Sequence, residues 1–208
     1  MKNLFLTVLA LIFLFGCSSE APKPAETARP AEPKGSELVT GRVAFQKAYI
    51  AAHGWARDAQ PFRLESQLTT DGGDGKDGKS AVWRSGFASV LQRSVKPYVW
   101  SGSAAPDAPS RGISPGTEDG YNPNNSSTQT FDIAFLKIDS DKALEVAQKH
   151  GGDKLLEKAP TTPIIYVLDW SRPTSELVWH VIYGDNRDTA KLTVSVNAST
   201  GEFIRVEK

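Results

Sequence analysis

The sequence has few of the residues that carry covalent or metal chemistry. Its 208 residues include one cysteine and three histidines. A single cysteine excludes a disulfide within the chain, so the fold must be stabilised by packing. The histidines, His53, His150 and His180, lie far apart and lack the spacing of metal ligands. We therefore expect no metal ion and no other cofactor.

Net charge and long apolar runs are missing as well. The 24 basic and 24 acidic side chains cancel, and no basic run marks a nucleic-acid footprint, so we expect no nucleic-acid partner. The apolar stretch from Leu4 to Phe15 holds 12 residues, whereas a membrane-spanning helix needs about 20. This stretch is too short to be an anchor by itself.

The first 16 residues have the pattern of an export signal. Lys2 supplies the charged start, the apolar stretch follows, and the small residue Gly16 precedes Cys17. Polar, proline-rich chain comes next. We therefore predict a signal peptide over residues 1–16 that is removed after export.

The cysteine indicates which kind of signal this is. The tetrapeptide Leu14-Phe15-Gly16-Cys17 resembles the lipobox of bacterial lipoproteins. The resemblance implies cleavage before Cys17 and attachment of diacylglycerol to its thiol, so that the membrane is a partner through this lipid. Ser18 implies, by the same analogy, the periplasmic side of an outer membrane. The alternative is a secretory signal that ends near a cysteine by chance.

Residues 17–39 are predicted to be a flexible tether behind this lipid. Ala, Pro, Glu and Lys predominate there, with no apolar period. Polyproline-like chain rises about 3.1 Å per residue, so a tether of this length reaches roughly 60 Å. The folded part can thus stand clear of the bilayer.

Residues 40–102 are predicted to form a first module of one helix and three strands. Thr40 is a good helix N-cap, and His53-Gly54 pairs two residues that are common at helix C-termini. Alternating apolar residues then indicate strands. Pro97 places the last strand at a sheet edge because it has no N–H to donate. The predicted strands are Phe62–Leu68, Ala81–Leu91 and Val95–Trp100.

A second module is predicted over residues 130–208. It follows a flexible loop at 103–129 that is rich in Ser, Gly, Pro and Asn. Ser140 is the expected cap of a helix over Asp141–His150, and Gly151 is its expected stop. The predicted strands of this module are Phe131–Ile138, Ile164–Leu168, Leu177–Tyr183, Lys191–Val196 and Phe203–Val206.

The two modules share landmarks at matching places. Trp83 and Trp179 lie 96 residues apart, and the two His-Gly pairs lie 97 residues apart. A module of this size buries too little surface to be stable alone, so the two should pack together. We predict an α+β fold of two similar modules, each a helix packed on an antiparallel β-sheet, behind the tether.

The second module also resembles a known family. Its helix sequence over 139–147, its strand with Trp179 and its turn over 194–202 resemble the PepSY domain, with a fainter echo over 40–102. The resemblance implies a helix followed by antiparallel strands. It also implies a role in protein binding or inhibition, with no chemistry of its own.

No catalytic constellation is visible in the sequence. There is no Gly-x-Ser-x-Gly elbow, and the three histidines are expected to be structural, two at helix ends and one within a strand. Asp71, Asp74 and Asp77 lie in a glycine-rich loop, but their spacing of three does not match an EF-hand. We predict a solvated hairpin loop there rather than a calcium site, and no enzyme activity.

The five tryptophans are the remaining candidates for a site. Trp83 and Trp179 are expected in the cores of their modules. Trp55, Trp100 and Trp170 fall near element ends beside polar residues, where aromatic side chains can form a binding surface. The alternative is that these three side chains fold back over sheet edges.

Together these patterns favour a non-catalytic protein- or peptide-binding module of the cell envelope. Regulation or inhibition of an extracytoplasmic peptidase is one form that this role can take. An exposed sheet edge can accept a peptide strand. Two alternatives stay open, a structural envelope lipoprotein and a hydrolase of an envelope polymer that uses acids such as Asp169 or Asp185.

Overall fold

The computed structural model describes residues 35–125 and 128–207. The predicted signal peptide, the lipid site at Cys17 and most of the predicted tether lie outside the described residues. Within the described part of the chain, no helix is long and apolar enough to cross a membrane.

Three α-helices lie in the described residues, and the first of them is the longest. They are α1 (Gly41–Trp55), α2 (Ser140–Ala147) and α3 (Asp153–Lys158). Helix α1 buries Ala44, Ala48 and Ala52, a spacing of four that places small side chains on one face. That face therefore lies close to the sheet.

Nine of the described strands form one antiparallel sheet, and two short strands, β1 and β3, form a separate ladder. The order across the sheet is β11-β10-β9-β8-β2-β4-β5-β6, with β7 also paired to β5. The strands are β1 (Val39–Thr40), β2 (Gln60–Gln67), β3 (Lys79–Ser80), β4 (Val82–Ser89), β5 (Ser94–Ser101), β6 (Gly112–Pro115), β7 (Asp119–Gly120), β8 (Ile164–Ser171), β9 (Glu176–Tyr183), β10 (Leu192–Asn197) and β11 (Phe203–Glu207).

The predicted fold class is confirmed, because each half contributes a helix and an antiparallel run of strands. The halves are joined where β2 and β8, the first long strand of each, pair antiparallel between Arg63 and Asp169, Leu64 and Leu168, and Glu65 and Val167. The helices of both halves pack into one shared core on the same face of the sheet. The predicted domain boundaries stay predictions.

Trp83 and Trp179 occupy equivalent places in the two halves. Both are fully buried, and each indole N–H donates to a carbonyl two residues before a helix, that of Val39 at 3.0 Å and that of Ile138 at 2.9 Å. The rings also meet edge to face, with centroids 6.4 Å apart. Their predicted core position is confirmed, and in addition they pack against each other across the junction.

The starts of α1 and α2 meet at one carboxylate, that of Asp139. Its Oδ1 accepts hydrogen bonds from the backbone N–H of Arg42 at 2.9 Å and of Ser140 at 2.7 Å. Its Oδ2 accepts from the Thr40 hydroxyl at 2.7 Å. Asp139 rather than Ser140 is therefore the cap of α2, and the same side chain also satisfies a free N–H of α1.

The glycine-rich loop at 71–79 differs from the solvated hairpin that the sequence predicts. Gly75 and Gly78 are buried and have positive φ angles of 75° and 78°. The loop packs on the second half, where the Ile164 N–H donates to the carbonyl of Asp74 at 2.8 Å. A side chain at Gly78 would place its Cβ 2.3 Å from the Cα of Asp141. Glycine is therefore needed for this close approach.

The strand predicted at Phe131–Ile138 is wrong. Ile133–Phe135 is a 3-10 helix, and the Asp132 carboxylate accepts from the N–H of Ala134. The apolar residues of this segment mimic a strand in composition, but the short-range cap of Asp132 favours a helical turn. The second helix also differs, because α2 ends at Ala147 and the chain kinks at His150 and Gly151 before α3.

The segment predicted as a flexible loop, residues 103–129, contains β6 and β7. Both pair with β5, so the prediction that Pro97 places β5 at the sheet edge is wrong. β6 pairs with Tyr98–Ser101 and β7 with Ser94 and Val95. The missing N–H of Pro97 falls in the gap between these two ladders, so the proline costs no ladder hydrogen bond.

Candidate functional site

The face of the sheet opposite the helices carries most of its charge. Strand alternation points Leu64 into the core and its neighbours Arg63 and Glu65 to the other side. We call this second side the charged face. Seven of its charged side chains are connected by ion pairs, and we call them the charged row: Arg63, Glu65, Arg84, Asp169, His180, Arg187 and Glu207.

His180 lies at the centre of this group and is only 6% exposed. Its Nε2 is 3.1 Å from Oδ1 of Asp169, and its Nδ1 bonds to Oε1 of Glu207. The same Glu207 oxygen accepts from the hydroxyl of Ser195 at 2.6 Å. Because carboxylates face both ring nitrogens, both nitrogens donate and the imidazole is held as its cation.

The pKa values of the three groups follow from this arrangement. Burial acts to lower the pKa of His180, but the hydrogen bonds to Asp169 and Glu207 outweigh it and raise the pKa above its usual value. Burial acts to raise the pKa of both acids, and the hydrogen bond from His180 reverses this effect. The pKa of Asp169 is therefore lowered, and that of Glu207 is lowered to about 2.

Arginines extend the cluster in both directions, so that positive and negative side chains alternate along it. Arg63 joins Asp169 at 3.4 Å and Glu65 at 2.7 Å, and Arg84 lies 3.9 Å from the other oxygen of Glu65. On the far side, Arg187 lies 3.5 Å from Glu207. Each acid thus lies between cations, and the row crosses the sheet from β4 to β11.

Ser195 and His180 do not form a nucleophile–base pair. The hydroxyl of Ser195 donates to Glu207 rather than to His180, and both nitrogens of the histidine are already occupied. A general base needs a free nitrogen within reach of the proton that it removes. Within the described residues, no group of three or more His, Cys, Asp or Glu side chains could hold a metal ion.

A pocket opens on the charged face beside the arginine end of the row. Its volume is about 490 Å³, within the range of sites that bind small molecules or peptide segments. Phe62, Gly86, Val95 and Pro97 supply its apolar part. The polar lining consists of Arg63, Glu65, Arg84, Thr117, Glu118 and Asp119.

The three tryptophans predicted as a binding surface do not meet in the described residues. Trp100 is 2% exposed and belongs to the core, with the ammonium of Lys47 4.9 Å from its ring centroid. Trp55 and Trp170 are partly buried against the same core, Trp170 beside Phe135. Trp100 thus offers no surface, and the role predicted for Trp55 and Trp170 stays a prediction.

The acids and histidines that the sequence singled out lie in different parts of the structure. Asp169 lies in the charged row, whereas Asp185 is exposed in the turn after β9. His53 lies in the last turn of α1, as predicted, with its ring against Tyr49. The ring of His150 stacks on Phe203, 3.8 Å between centroids.

The charged row is the feature that the sequence prediction missed. Polar residues inside strands, such as His180 between Trp179 and Val181 and Ser195 between two valines, were the available signal, because they mark the side of the sheet away from the core. Their partners are distant in sequence, so the pattern could not pair them.

Comparisons with known proteins show the fold only. No protein-family model matches the chain, so the resemblance to the PepSY domain stays a prediction, and no curated protein matches it. Among solved structures, it is similar to a protein from Clostridium difficile 630 that is provisionally described as a lipoprotein. The TM-score is 0.54 at 10% identity, covering 79% of this chain and 91% of that chain. An identity this low shows a shared fold alone.

Proposed function

We propose that this chain is a lipid-anchored envelope protein whose folded part is a non-catalytic binding module for a protein or peptide. The pocket on the charged face is the observation that carries this proposal. The helices of both halves pack on the opposite face, so the pocket is open to a partner. The two sheet ends are shorter and weaker candidates, because β6 and β7 together cover β5 and β11 has five residues.

The hydrogen bonds that occupy Asp169 and His180 favour binding over hydrolysis at this site. In the hydrolase alternative, Asp169 acts as an acid beside aromatic residues. Here Asp169 is bonded to His180 and Arg63, which hold it as a carboxylate. Regulation or inhibition of an extracytoplasmic peptidase fits a binding module and is the form of the role that we propose to test first.

The test is capture from envelope extracts with the purified full chain in detergent. Thr117 is exposed in the pocket wall, so Thr117→Trp should block the pocket without disturbing the core. Thr161→Trp, at an exposed turn outside the pocket, is the matched control. We expect a partner that wild type and Thr161→Trp retain and that Thr117→Trp loses. Equal retention by all three variants would count against the pocket as the site.

The address is tested separately through the predicted lipid site. Cys17→Ala should abolish incorporation of labelled fatty acid and move the chain from the membrane to the soluble fraction, since two or more acyl chains are needed for stable anchoring. The description of the Clostridium difficile protein as a lipoprotein supports this address. Membrane retention and labelling in Cys17→Ala would contradict it.

A further inference from the structure

We infer that the pocket on the charged face binds an extended peptide segment in which an apolar side chain lies between an acidic and a basic residue. This inference rests on the proposed function and specifies the partner of the same site. Three features of the pocket carry it, namely its floor, one cationic wall and one anionic wall.

The floor of the pocket is apolar and shaped by a glycine. The ring of Phe62 lies directly over Gly86, where a Cβ would approach within 2.5 Å of the ring. Pro97 pairs with Gly86 on the adjacent strand, and Val95 lies two residues before it. These residues form a slot that suits one aliphatic side chain, whose burial is favourable because it removes apolar surface from water.

The cationic wall is formed by Arg84. Its side chain is 49% exposed, and its one ion pair in the described residues is the long contact of 3.9 Å with Glu65. Glu65 is bound more closely by Arg63, at 2.7 Å. The guanidinium of Arg84 therefore keeps donors that are free for a carboxylate, and arginine binds carboxylates through such paired donors.

The anionic wall is formed by Asp119. One of its oxygens accepts from the N–H of Gly120 at 2.7 Å, and within residues 35–125 and 128–207 it has no cationic partner. Its neighbour Glu118 is already paired with Lys96 at 2.9 Å. The Asp119 carboxylate is therefore available to a basic group of the partner.

The spacing of the two walls fits a short extended peptide. Arg84 pairs with Val99 on β5, and Asp119 pairs with Val95 on the other side of the same strand. Two interstrand steps and four residues along β5 separate the walls by roughly 16 Å. About five extended residues cover this distance, with the apolar residue in the middle over the slot.

The test uses fluorescently labelled peptides with capped ends and the purified full chain in detergent. The probe is Glu-Gly-Leu-Gly-Lys, and it is compared with Glu-Gly-Leu-Gly-Glu, Lys-Gly-Leu-Gly-Lys and Glu-Gly-Gly-Gly-Lys. We expect the mixed-charge peptide to bind about fivefold more tightly than either like-charge peptide, which is the upper range for one exposed ion pair. Loss of the central leucine should weaken binding about tenfold.

Reversing one charge in the pocket should change which peptide binds most tightly. Arg84→Glu should make the dibasic peptide the tightest ligand, and Asp119→Lys should do the same for the diacidic peptide. Lys154→Glu, an exposed reversal on α3, is the control and should leave the order unchanged. Thr117→Trp should remove binding of every peptide.

The outcomes separate this inference from the proposed function. Peptides that bind with equal affinity whatever their charge, yet are blocked by Thr117→Trp, would overturn the inference and leave the binding module intact. The same conclusion follows if no peptide binds while Thr117→Trp still loses the captured envelope partner. If no peptide binds and capture is unaffected by Thr117→Trp, both proposals fall.

Discussion

At the scale of single residues, His180 shows how a buried charge is held in this protein. Removing a charged side chain from water is costly unless partners replace the lost hydration. Asp169 and Glu207 supply those partners, and the hydroxyl of Ser195 donates to Glu207 in turn. The cluster therefore links β8, β9, β10 and β11 through one proton-dependent centre.

The first prediction concerns the pH dependence of this centre. The raised pKa of His180 means that its contribution to stability is complete below its unfolded value of 6.5 and is lost as pH rises through the folded pKa. The lowered pKa values of Asp169 and Glu207 act in the opposite sense, because their contribution is present above 3.8 and 4.5 and is lost as pH falls. The contribution of the cluster is thus greatest between these limits.

His180→Gln should therefore lower the free energy of unfolding by about 3 kcal/mol near pH 6, because it leaves two carboxylates without their cation. The difference from wild type should shrink toward pH 9 and toward pH 3. Urea unfolding followed by circular dichroism across this pH range measures it. His150→Gln is the control, since His150 bonds to a backbone carbonyl rather than to an acid. A difference that does not vary with pH would contradict the assigned charge state.

The second prediction concerns Asp139, which caps two helices. Removing one N-cap costs about 1 kcal/mol, so Asp139→Ala should destabilise the protein by about 2 kcal/mol. Asp132→Ala is the matched control, because Asp132 is exposed and caps only one turn of 3-10 helix, and it should cost less than half as much. Chemical denaturation of both variants measures the comparison. Equal losses would mean that Asp139 does not act on α1.

Contacts between single side chains were the part of the structure that the sequence predicted least. The partners of His180 are 11 and 27 residues away, and Arg63 meets Asp169 across 106 residues. Such pairs depend on strand register, which an alternating pattern does not specify between distant strands. The sequence therefore placed His180 on a strand and Asp169 directly after one, but it did not indicate that they touch.

At the scale of elements, local patterns predicted most strands of the sheet and failed where tertiary contacts decide. The long alternating strands β2, β9 and β10 lie within a residue or two of their predicted bounds. β6 and β7 have too few apolar residues to be recognised, because they are formed by pairing with β5 rather than by their own pattern. Packing likewise converts the loop at 71–79 from a solvated turn into a contact between the halves.

The third prediction tests that loop with two glycines. Gly73 and Gly78 have nearly the same positive φ, but a Cβ at Gly73 meets its nearest neighbour, Leu38, at 3.5 Å. Gly73→Ala should therefore lower the free energy of unfolding only by the backbone strain, about 1 kcal/mol. Gly78→Ala adds a clash with the backbone of Asp141 and should cost at least about 2 kcal/mol more.

Thermal or urea unfolding of the two variants measures this difference in stability. If they lose equal stability, the loop does not pack tightly against α2. Because backbone strain is shared by both substitutions, their difference isolates the contact between the loop and the second half.

At the scale of the whole molecule, the two halves behave as one unit. They share a continuous sheet through β2 and β8, a common core, and the pair Trp83 and Trp179. A half of this size buries too little surface to be stable by itself. Unfolding one half would expose the core face and the sheet edge of the other.

The fourth prediction is that the described part unfolds in one cooperative step in which the two tryptophans are coupled. Trp83→Phe and Trp179→Phe each remove an indole N–H bond to a carbonyl and should each cost about 2 kcal/mol. The double variant should deviate from additivity by about 0.5–1.5 kcal/mol, the range for aromatic pairs.

Fluorescence and far-ultraviolet circular dichroism should give the same midpoint in wild type and in each variant. Trp55→Phe provides the additive control, because Trp55 lies at the end of α1, away from the pair. Two separate transitions would show that the halves fold independently.

The shared carboxylate at the start of α1 and α2 has a consequence for the nascent chain. Asp139 leaves the ribosome 97 residues after Arg42, whose amide it satisfies. At about 5–20 residues per second, that delay is about 5–20 s. During this interval the first half has been made but lacks the cap that Asp139 gives to α1. Trp83 also lacks the ring of Trp179, against which it packs in the complete protein. We accordingly expect a chain halted before residue 139 to be cleaved by proteases faster than the complete chain, even though every strand of the first half has been translated.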